Sequence, residues 1–313
     1  MDNKIINEEL VTKVEHFGIQ RKIVAHMTTR SWQEIPHFST IYEPDVTEFF
    51  DMFKTLKKKR EDDGKSKVTF NTIMLKAIAE GLKAAPSLNS TLEFDHKKVT
   101  GTLTQREDID FSIPWTLPTG EMMTITLPDV QDNDLDEITE KLDKIANKVK
   151  NTNCTEAMYE ISFDETINQI KKGNIGVFGR IIAAKIGKHR VHLLKGQAKK
   201  DYYNIPEDDR LTLKDLRQGT ITVSNLGSIH KSFTGYLSLL EIIPPQVFAI
   251  GICSTQTKPI SVLQKDGTYK VESKLICPMC LAGDHRALDY GDLVPFIDRL
   301  DDIFAHPEQI MNW

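Results

Sequence analysis

The sequence predicts an α/β fold, a two-layer mixed sheet with packed helices. Segments of helical and of strand periodicity are interspersed along the 313 residues without a regular strand–helix alternation, which argues against a doubly wound parallel sheet. No glycine-rich phosphate loop of either the Gly-x-Gly-x-x-Gly or the Gly-x4-Gly-Lys type occurs, which removes the nucleotide folds that need one. Hydrophobic residues make up 40% of the chain and charged residues 27%, so it can bury a sizeable core and is not largely disordered.

The elements follow in order. Residues 18–31 place Ile19, Ile23 and Met27 four apart on one helical face, and Ile35-Pro36 stops that helix. An extended segment over 37–42 comes next. Asp45 stands three residues before Glu48, the spacing of a capping box, ahead of Val46, Phe49, Phe50, Phe53 and Leu56 at helical intervals. A second helix over 71–85 turns Ile73, Ala77, Ile78 and Leu82 inward and is bounded by Pro86. Residues 91–101 form a short hairpin. Ile109, Phe111, Ile113, Trp115 and Leu117 then alternate strictly as a strand, and the Pro118-Thr119-Gly120 turn leads to a partner strand over 122–127. Leu135, Ile138, Leu142, Ile145 and Val149 mark a further helix. Strands are expected over 220–224, 247–253, 259–264 and 269–281, with a closing helix over 292–303.

The formal charge of −5 conceals an asymmetry. Residues 170–200 contain nine Lys or Arg and no acid, so the rest of the chain carries −14. Ile175, Phe178, Ile181, Ile182, Ile186, Val191, Leu193 and Leu194 interleave with these charges, as amphipathic helices would. An acidic acyl carrier protein, a membrane surface and the acidic body of the chain itself all fit such a stretch. Nucleic acid does not, because the body would be repelled and Phe178 is the one aromatic in the stretch. No apolar run is long enough to span a bilayer and the N-terminus lacks a signal-peptide pattern, so a cytoplasmic location is expected. Four cysteines do not make a disulfide scaffold.

Two short stretches hold candidate chemistry. In the run LAGDHRALDYGDL, residues 281–293, His285 is followed four residues later by Asp289. An imidazole serves as a general base near neutral pH when its tautomer is held, and a partner in the same turn can hold it. The same pattern also suits a charged surface loop. In TITVSNLG, residues 220–227, a strand ends in Ser224, whose hydroxyl could donate to a developing oxyanion, and Gly227 permits the turn that aims it. An ordinary strand-end serine would look the same. Cys277 and Cys280 are expected as buried thiols and not as metal ligands, because positions three apart on a strand face opposite sides. His230, shortly after the serine turn, lacks a constellation of its own.

These stretches gain meaning from their order. TVSNLG (222–227), IPPQVFAIG (243–251) and DHRALDYG (284–291) occur in the sequence of motifs that marks the catalytic domain of 2-oxo-acid dehydrogenase acyltransferase subunits, which the chain resembles. QRKIVAHMTTRSWQEIPHF (20–38), KAAPSLNSTL (83–92) and LPTGEM (117–122) are similar to that family's arginine helix, its PELNA segment and its TPTGL turn. The resemblance implies a single catalytic domain over 1–313 with the chloramphenicol acetyltransferase-like fold. It further implies His285 as the base that deprotonates a thiol and Ser224 as the oxyanion donor. Asp289 would stand with them as a catalytic residue, pairing with Arg21 to hold the loop, and Arg21, Asn225 and Gly227 would support the site. The substrate would be a coenzyme A or phosphopantetheine thioester, and the active sites would lie at the subunit interfaces of a homotrimer, with no metal required. The cofactor-binding residues are not identified by the motifs.

The sequence also departs from the family. Tyr290 replaces the glycine expected after the aspartate, which motivates a competing reading as a non-catalytic trimeric scaffold or a carrier-protein-binding relative. Glu121 places a carboxylate where the family turn is apolar. No lipoylation turn precedes the arginine helix, so a stand-alone form without lipoyl and subunit-binding domains is expected, with no lipoyl group on this chain. The stretch of about 152–210 reads as a basic amphipathic insertion.

Overall fold

In a computed structural model, which describes residues 4–6, 9–11, 14–117, 120, 122–171, 173, 175–188 and 190–313, the two periodicities sort the chain into helices and strands. Strands β1 (Lys4–Ile6) and β2 (Glu9–Val11) pair with each other ahead of helix α1 (Ile19–Glu34). Strand β3 (His37–Tyr42) leads into α2 (Thr47–Asp62) and α3 (Phe70–Ala84). The hairpin of β4 (Ser90–Asp95) and β5 (Thr100–Gln105) precedes β6 (Phe111–Thr116) and β7 (Met122–Leu127). Helices α4 (Leu135–Asn151), α5 (Cys154–Lys171), α6 (Phe178–Lys185), α7 (Gly196–Asn204) and α8 (Leu213–Leu216) follow. The last third holds β8 (Ile221–Asn225), α9 (Leu226–Ile229), β9 (Phe248–Ile252), β10 (Gln256–Leu263), β11 (Tyr269–Ile276), β12 (Met279–Asp284) and α10 (Tyr290–Ala305).

Six strands form one mixed sheet in the order β3-β12-β9-β8-β6-β7. β8 runs parallel to both β6 and β9, and the other pairs are antiparallel. Alternation along each strand gives the sheet two unlike faces. Ile221, Val223, Ile250 and Leu281 face the main core with Phe49, Leu82 and Phe296 of the helices, all of them buried. Ala249, Cys280 and Ala282 face a smaller cluster containing Ile35 and Ile242, covered by Leu237, Leu239 and Leu240 from the segment before β9. The expected two-layer mixed sheet with packed helices is the observed architecture.

Helix starts follow local hydrogen bonding. The Thr69 hydroxyl accepts the Thr72 N–H at 3.1 Å to begin α3. Asp134 and Glu137 form a reciprocal capping box at 2.8 and 2.9 Å to begin α4. The capping box expected at Asp45 and Glu48 does not form. Val46 is the N-cap residue, its N–H bound to Leu275 O at 2.8 Å, and Asp45 instead accepts the Thr47 N–H at 3.0 Å. Helix α1 runs three residues past the expected end at Ser31.

The single strand expected over 269–281 is two strands in different sheets. Pro278 has no N–H for a ladder, and the chain leaves the β10–β11 ribbon there and enters the main sheet as β12. The turn at 118–121, with the Glu121 carboxylate, lies largely outside the described residues. No helix among the described residues is long and apolar enough to cross a membrane.

Candidate active site

Strand β12 delivers His285 to the edge of the sheet. The Asp284 carboxylate, fully buried, holds Arg286 through its backbone N–H at 3.0 Å and through guanidinium bonds of 3.0 and 2.6 Å. The carbonyl of Asp284 accepts the N–H groups of Ala287 and Leu288, closing the turn. His285 N–H donates to Pro36 O at 3.0 Å, so the turn is tied to the end of α1. Its ring lies 5.1 Å from Phe38. A Cβ on Gly283 would stand 2.3 Å from the Phe38 ring, so only glycine lets that ring lie across β12 beside the histidine.

The imidazole Nδ1 lies 3.2 Å from Leu288 O and 3.2 Å from Asp289 Oδ1. Both neighbours are acceptors, so the proton sits on Nδ1 and the lone pair is on Nε2. The side chain is 56% exposed, which leaves Nε2 open to a substrate. The loop is therefore charged and superficial, and it holds an oriented imidazole as well. Arg21, exposed on the first turn of α1, is not brought to Asp289 within this chain and forms no ion pair among the described residues. Tyr290, the first residue of α10, is 59% exposed and makes no ring contact with His285 among the described residues.

Ser224 sits near the end of β8, buried, on the face opposite Ile221 and Val223. Its hydroxyl has no hydrogen-bond partner among the described residues. The turn that follows is braced on both sides: Asn225 Oδ1 accepts Ser228 N–H at 3.1 Å, and Asn225 Nδ2 donates to Asn71 Oδ1 of α3 at 2.7 Å. A Cβ on Gly227 would meet Ser254 Cα at 3.2 Å and Cys253 O at 3.3 Å, so glycine lets the turn close on the end of β9.

Strand register separates the two candidates. Ser224 pairs with Gly251, and Gly251 with Cys280, so His285 lies five residues further along the chain, just past the end of β12. Five residues of strand and two interstrand spacings amount to roughly 19 Å. Ser224 and His285 lie at opposite ends of the strands of the sheet and do not meet within one chain.

Several supports escaped the sequence reading. His37, opposite Asp284 across the β3–β12 ladder, donates from Nδ1 to Ile35 O at 2.9 Å and accepts Ile242 N–H at Nε2 at 3.1 Å. Burial lowers its pKa, with the Ile35 carbonyl opposing, so it is neutral. Gln246 of the IPPQ run is 1% exposed, accepts the Thr222 hydroxyl at 2.7 Å and donates to Gly219 O at 2.8 Å. A glutamine after two prolines at a strand start was the available signal. The four cysteines form no disulfide, and Cys277 and Cys280 are buried as expected. Burial, with Cys253 nearby, pushes their thiols up to about 12 and about 11. Among the described residues no group of three or more His, Cys, Asp or Glu could hold a metal ion.

Comparison with known proteins follows this geometry. Residues 8–179 and 197–312 match the model of the 2-oxoacid dehydrogenases acyltransferase catalytic domain. The chain is 26% identical over 269 residues to the lipoamide acyltransferase component of the branched-chain alpha-keto acid dehydrogenase complex of Bacillus subtilis, covering 86% of this chain and 46% of the relative. It is 21% identical over 287 residues to the dihydrolipoyllysine-residue acetyltransferase component of the pyruvate dehydrogenase complex of Mycoplasma capricolum, covering 92% and 49%. It thus spans about half the length of these curated relatives. In structure it is similar to a probable dihydrolipoamide acetyltransferase from Listeria monocytogenes, with a TM-score of 0.62, 19% identity and coverage of 96% and 95%. It is also similar to the dihydrolipoamide acetyltransferase of Azotobacter vinelandii, with a TM-score of 0.61, 20% identity and coverage of 95% and 94%. In that enzyme the catalytic roles of a serine, a histidine and an asparagine have been investigated, the asparagine four residues after the histidine.

Proposed function

Because the chain belongs to the family of 2-oxoacid dehydrogenase acyltransferase catalytic domains, we propose that it moves an acyl group between a coenzyme A or pantetheine thioester and a thiol, amine or hydroxyl acceptor. His285 is the general base and Ser224 the oxyanion donor. The observation that carries the reading is the Nδ1–Leu288 O contact of 3.2 Å, which leaves the basic lone pair on an exposed Nε2.

Nε2 removes the acceptor's proton as its heteroatom attacks the thioester carbonyl. The carbonyl oxygen becomes an oxyanion, to which the unpartnered Ser224 hydroxyl donates. When the tetrahedral intermediate collapses, the C–S bond breaks and the departing thiolate takes the proton back from Nε2. Leu288 O and Asp289 Oδ1, each 3.2 Å from Nδ1, hold the ring while Nε2 gains and returns the proton. The residue types and the four-residue offset agree with those studied in the Azotobacter enzyme, with aspartate in place of asparagine.

The separation of Ser224 and His285 requires a second chain. We assign the active site to a subunit interface, His285 from one protomer and Ser224 from its neighbour, in a homotrimer. The atomic structure of the cubic core of the pyruvate dehydrogenase multienzyme complex, similar to this chain with a TM-score of 0.61 and 20% identity, shows that this fold serves in large assemblies. The test is turnover of acetyl-coenzyme A with dihydrolipoamide. His285→Ala should lower kcat by roughly 10²- to 10⁴-fold without unfolding the protein. Unchanged turnover would remove His285 from the mechanism, and no turnover in the unaltered protein with any acyl-coenzyme A would favour the scaffold reading.

A further inference from the structure

Residues 180–196 fall between the two stretches that match the family model, at the centre of the basic segment. Their backbone is held to α5. Glu156, 1% exposed, accepts Leu194 N–H at 2.5 Å and the Tyr203 hydroxyl at 3.1 Å. Val191 N–H donates to Ala184 O at 2.8 Å, folding the loop back on α6. Arg210 stacks on the rings of Tyr202 and Tyr203 at 5.3 and 5.4 Å, closing the far side.

The cations are left over. Lys185, Lys188, Arg190, Lys195, Lys199 and Lys200 form no ion pair among the described residues. Asp201 of α7 accepts from Gln197 at 2.7 Å and forms no ion pair with them among the described residues, and Lys199 lies over the Tyr203 ring at 5.6 Å. Ile182 and Ile186, 51% and 70% exposed, lie among these charges. The segment therefore packs on its own body through a buried glutamate and backbone groups, and it presents a surface rich in cations that form no ion pair among the described residues.

The position of this surface relates it to the catalytic loop. Arg190, Val191 and His192 line a cavity of about 170 Å³ together with Gly18 and Gln20 at the start of α1. The other end of α1 runs into Pro36, whose carbonyl holds His285. The helix has 16 residues and spans about 24 Å. A partner seated on the cations is thus one helix length from the base.

We propose that residues 180–196 form the docking surface for an acidic protein domain that carries the acyl group as a thioester on a flexible arm. The inference rests on the acyltransferase reading above and names its partner. Charge complementarity selects an acidic occupant. A protein domain fits better than a lipid surface, because α6 has eight residues and the cations continue onto a loop and α7, whereas membrane adsorption needs a long continuous apolar face. A carrier-borne arm also accounts for the distance along α1.

The experiment titrates the full-length protein with fluorescently labelled holo acyl carrier protein, and separately with phosphatidylglycerol vesicles. Binding of the carrier should weaken about tenfold or more between low and physiological salt. The triple variant Lys185→Glu/Lys188→Glu/Arg190→Glu should lose about tenfold or more in carrier affinity while turning over acetyl-coenzyme A as before. If that variant melts at a lower temperature, Lys195→Glu/Lys199→Glu/Lys200→Glu repeats the test from the other side of the surface. Carrier binding that is absent, or unaffected by both variants, overturns the proposal. Vesicle binding that is lost in the variants in place of carrier binding assigns the surface to anionic lipid and overturns it as well. Binding is read without turnover, so failure of the acetyl-coenzyme A assay would sink the catalytic reading and leave the docking result standing.

Discussion

Two inactive variants should restore each other when their chains are mixed. Ser224→Ala removes the oxyanion donor and His285→Ala removes the base, and each alone should fall to about 1% of normal kcat or less. On the proposed shared site, the roughly 19 Å between these residues within one chain is met by combining the serine of one protomer with the histidine of the next. When equal amounts of the two variants assemble at random, an interface receives its serine from a His285→Ala chain with a chance of one half. It receives its histidine from a Ser224→Ala chain with the same chance. About one quarter of the sites are then intact, so the mixture should recover about a quarter of normal activity. The assay is co-refolding from denaturant, or co-expression with two affinity tags, followed by acetyl-coenzyme A turnover. A mixture no more active than the mean of its parents would refute the shared site, and so would a monomer that still turns over.

Three further outcomes follow from the same geometry. Asp284→Ala should destabilise the protein by about 3 kcal/mol in urea unfolding, because it leaves the largely buried Arg286 guanidinium without its carboxylate; a loss below about 1 kcal/mol would show that the pair does not frame the His285 turn. Burial lowers the His37 pKa below its ordinary value of 6.5, so the folded state binds its proton less readily than the unfolded chain. Stability from this group is present above pH 6.5 and is lost as pH falls through the folded value, and His37→Gln should flatten that acid-side decline; an identical pH dependence in the variant would contradict it. In the native protein one of four thiols, the half-buried Cys154, should react readily with a disulfide reagent, the other three reacting after unfolding; ready modification of Cys277 or Cys280 would show that the sheet face opens in solution.

Periodicity and motif order made much of this protein legible beforehand. The alternation of Met123, Ile125 and Leu127 and the helical spacing over 135–149 report local burial, and local burial is what sets these elements. Where sequence reasoning failed, a distant contact decided. Asp45 has capping-box spacing, but the Val46 N–H is taken by Leu275, more than two hundred residues away, and the helix starts one residue later. Residues 269–281 read as one strand apart from Pro278, and only the competing ladders of β10 and β9 show that the strand must break there.

The same division runs through the site. By itself the sequence determined which residue types stand ready: a histidine with an acid four residues on, a serine at a strand end, and a glycine that lets the turn close. It also determined the concentration of positive charge at 170–200. Only the tertiary structure decided which imidazole nitrogen is free, because Leu288 O reaches Nδ1 through the turn that Asp284 and Pro36 hold. It alone decided that His285 and Ser224 stand at opposite ends of the strands, because that depends on β12 running antiparallel to β9 while β8 runs parallel to it. And it decided how the insertion is held, because the segment is secured by the buried Glu156 carboxylate accepting a backbone N–H, a bond that charge counting along a sequence does not register, while Lys185, Lys188 and Arg190 form no ion pair among the described residues.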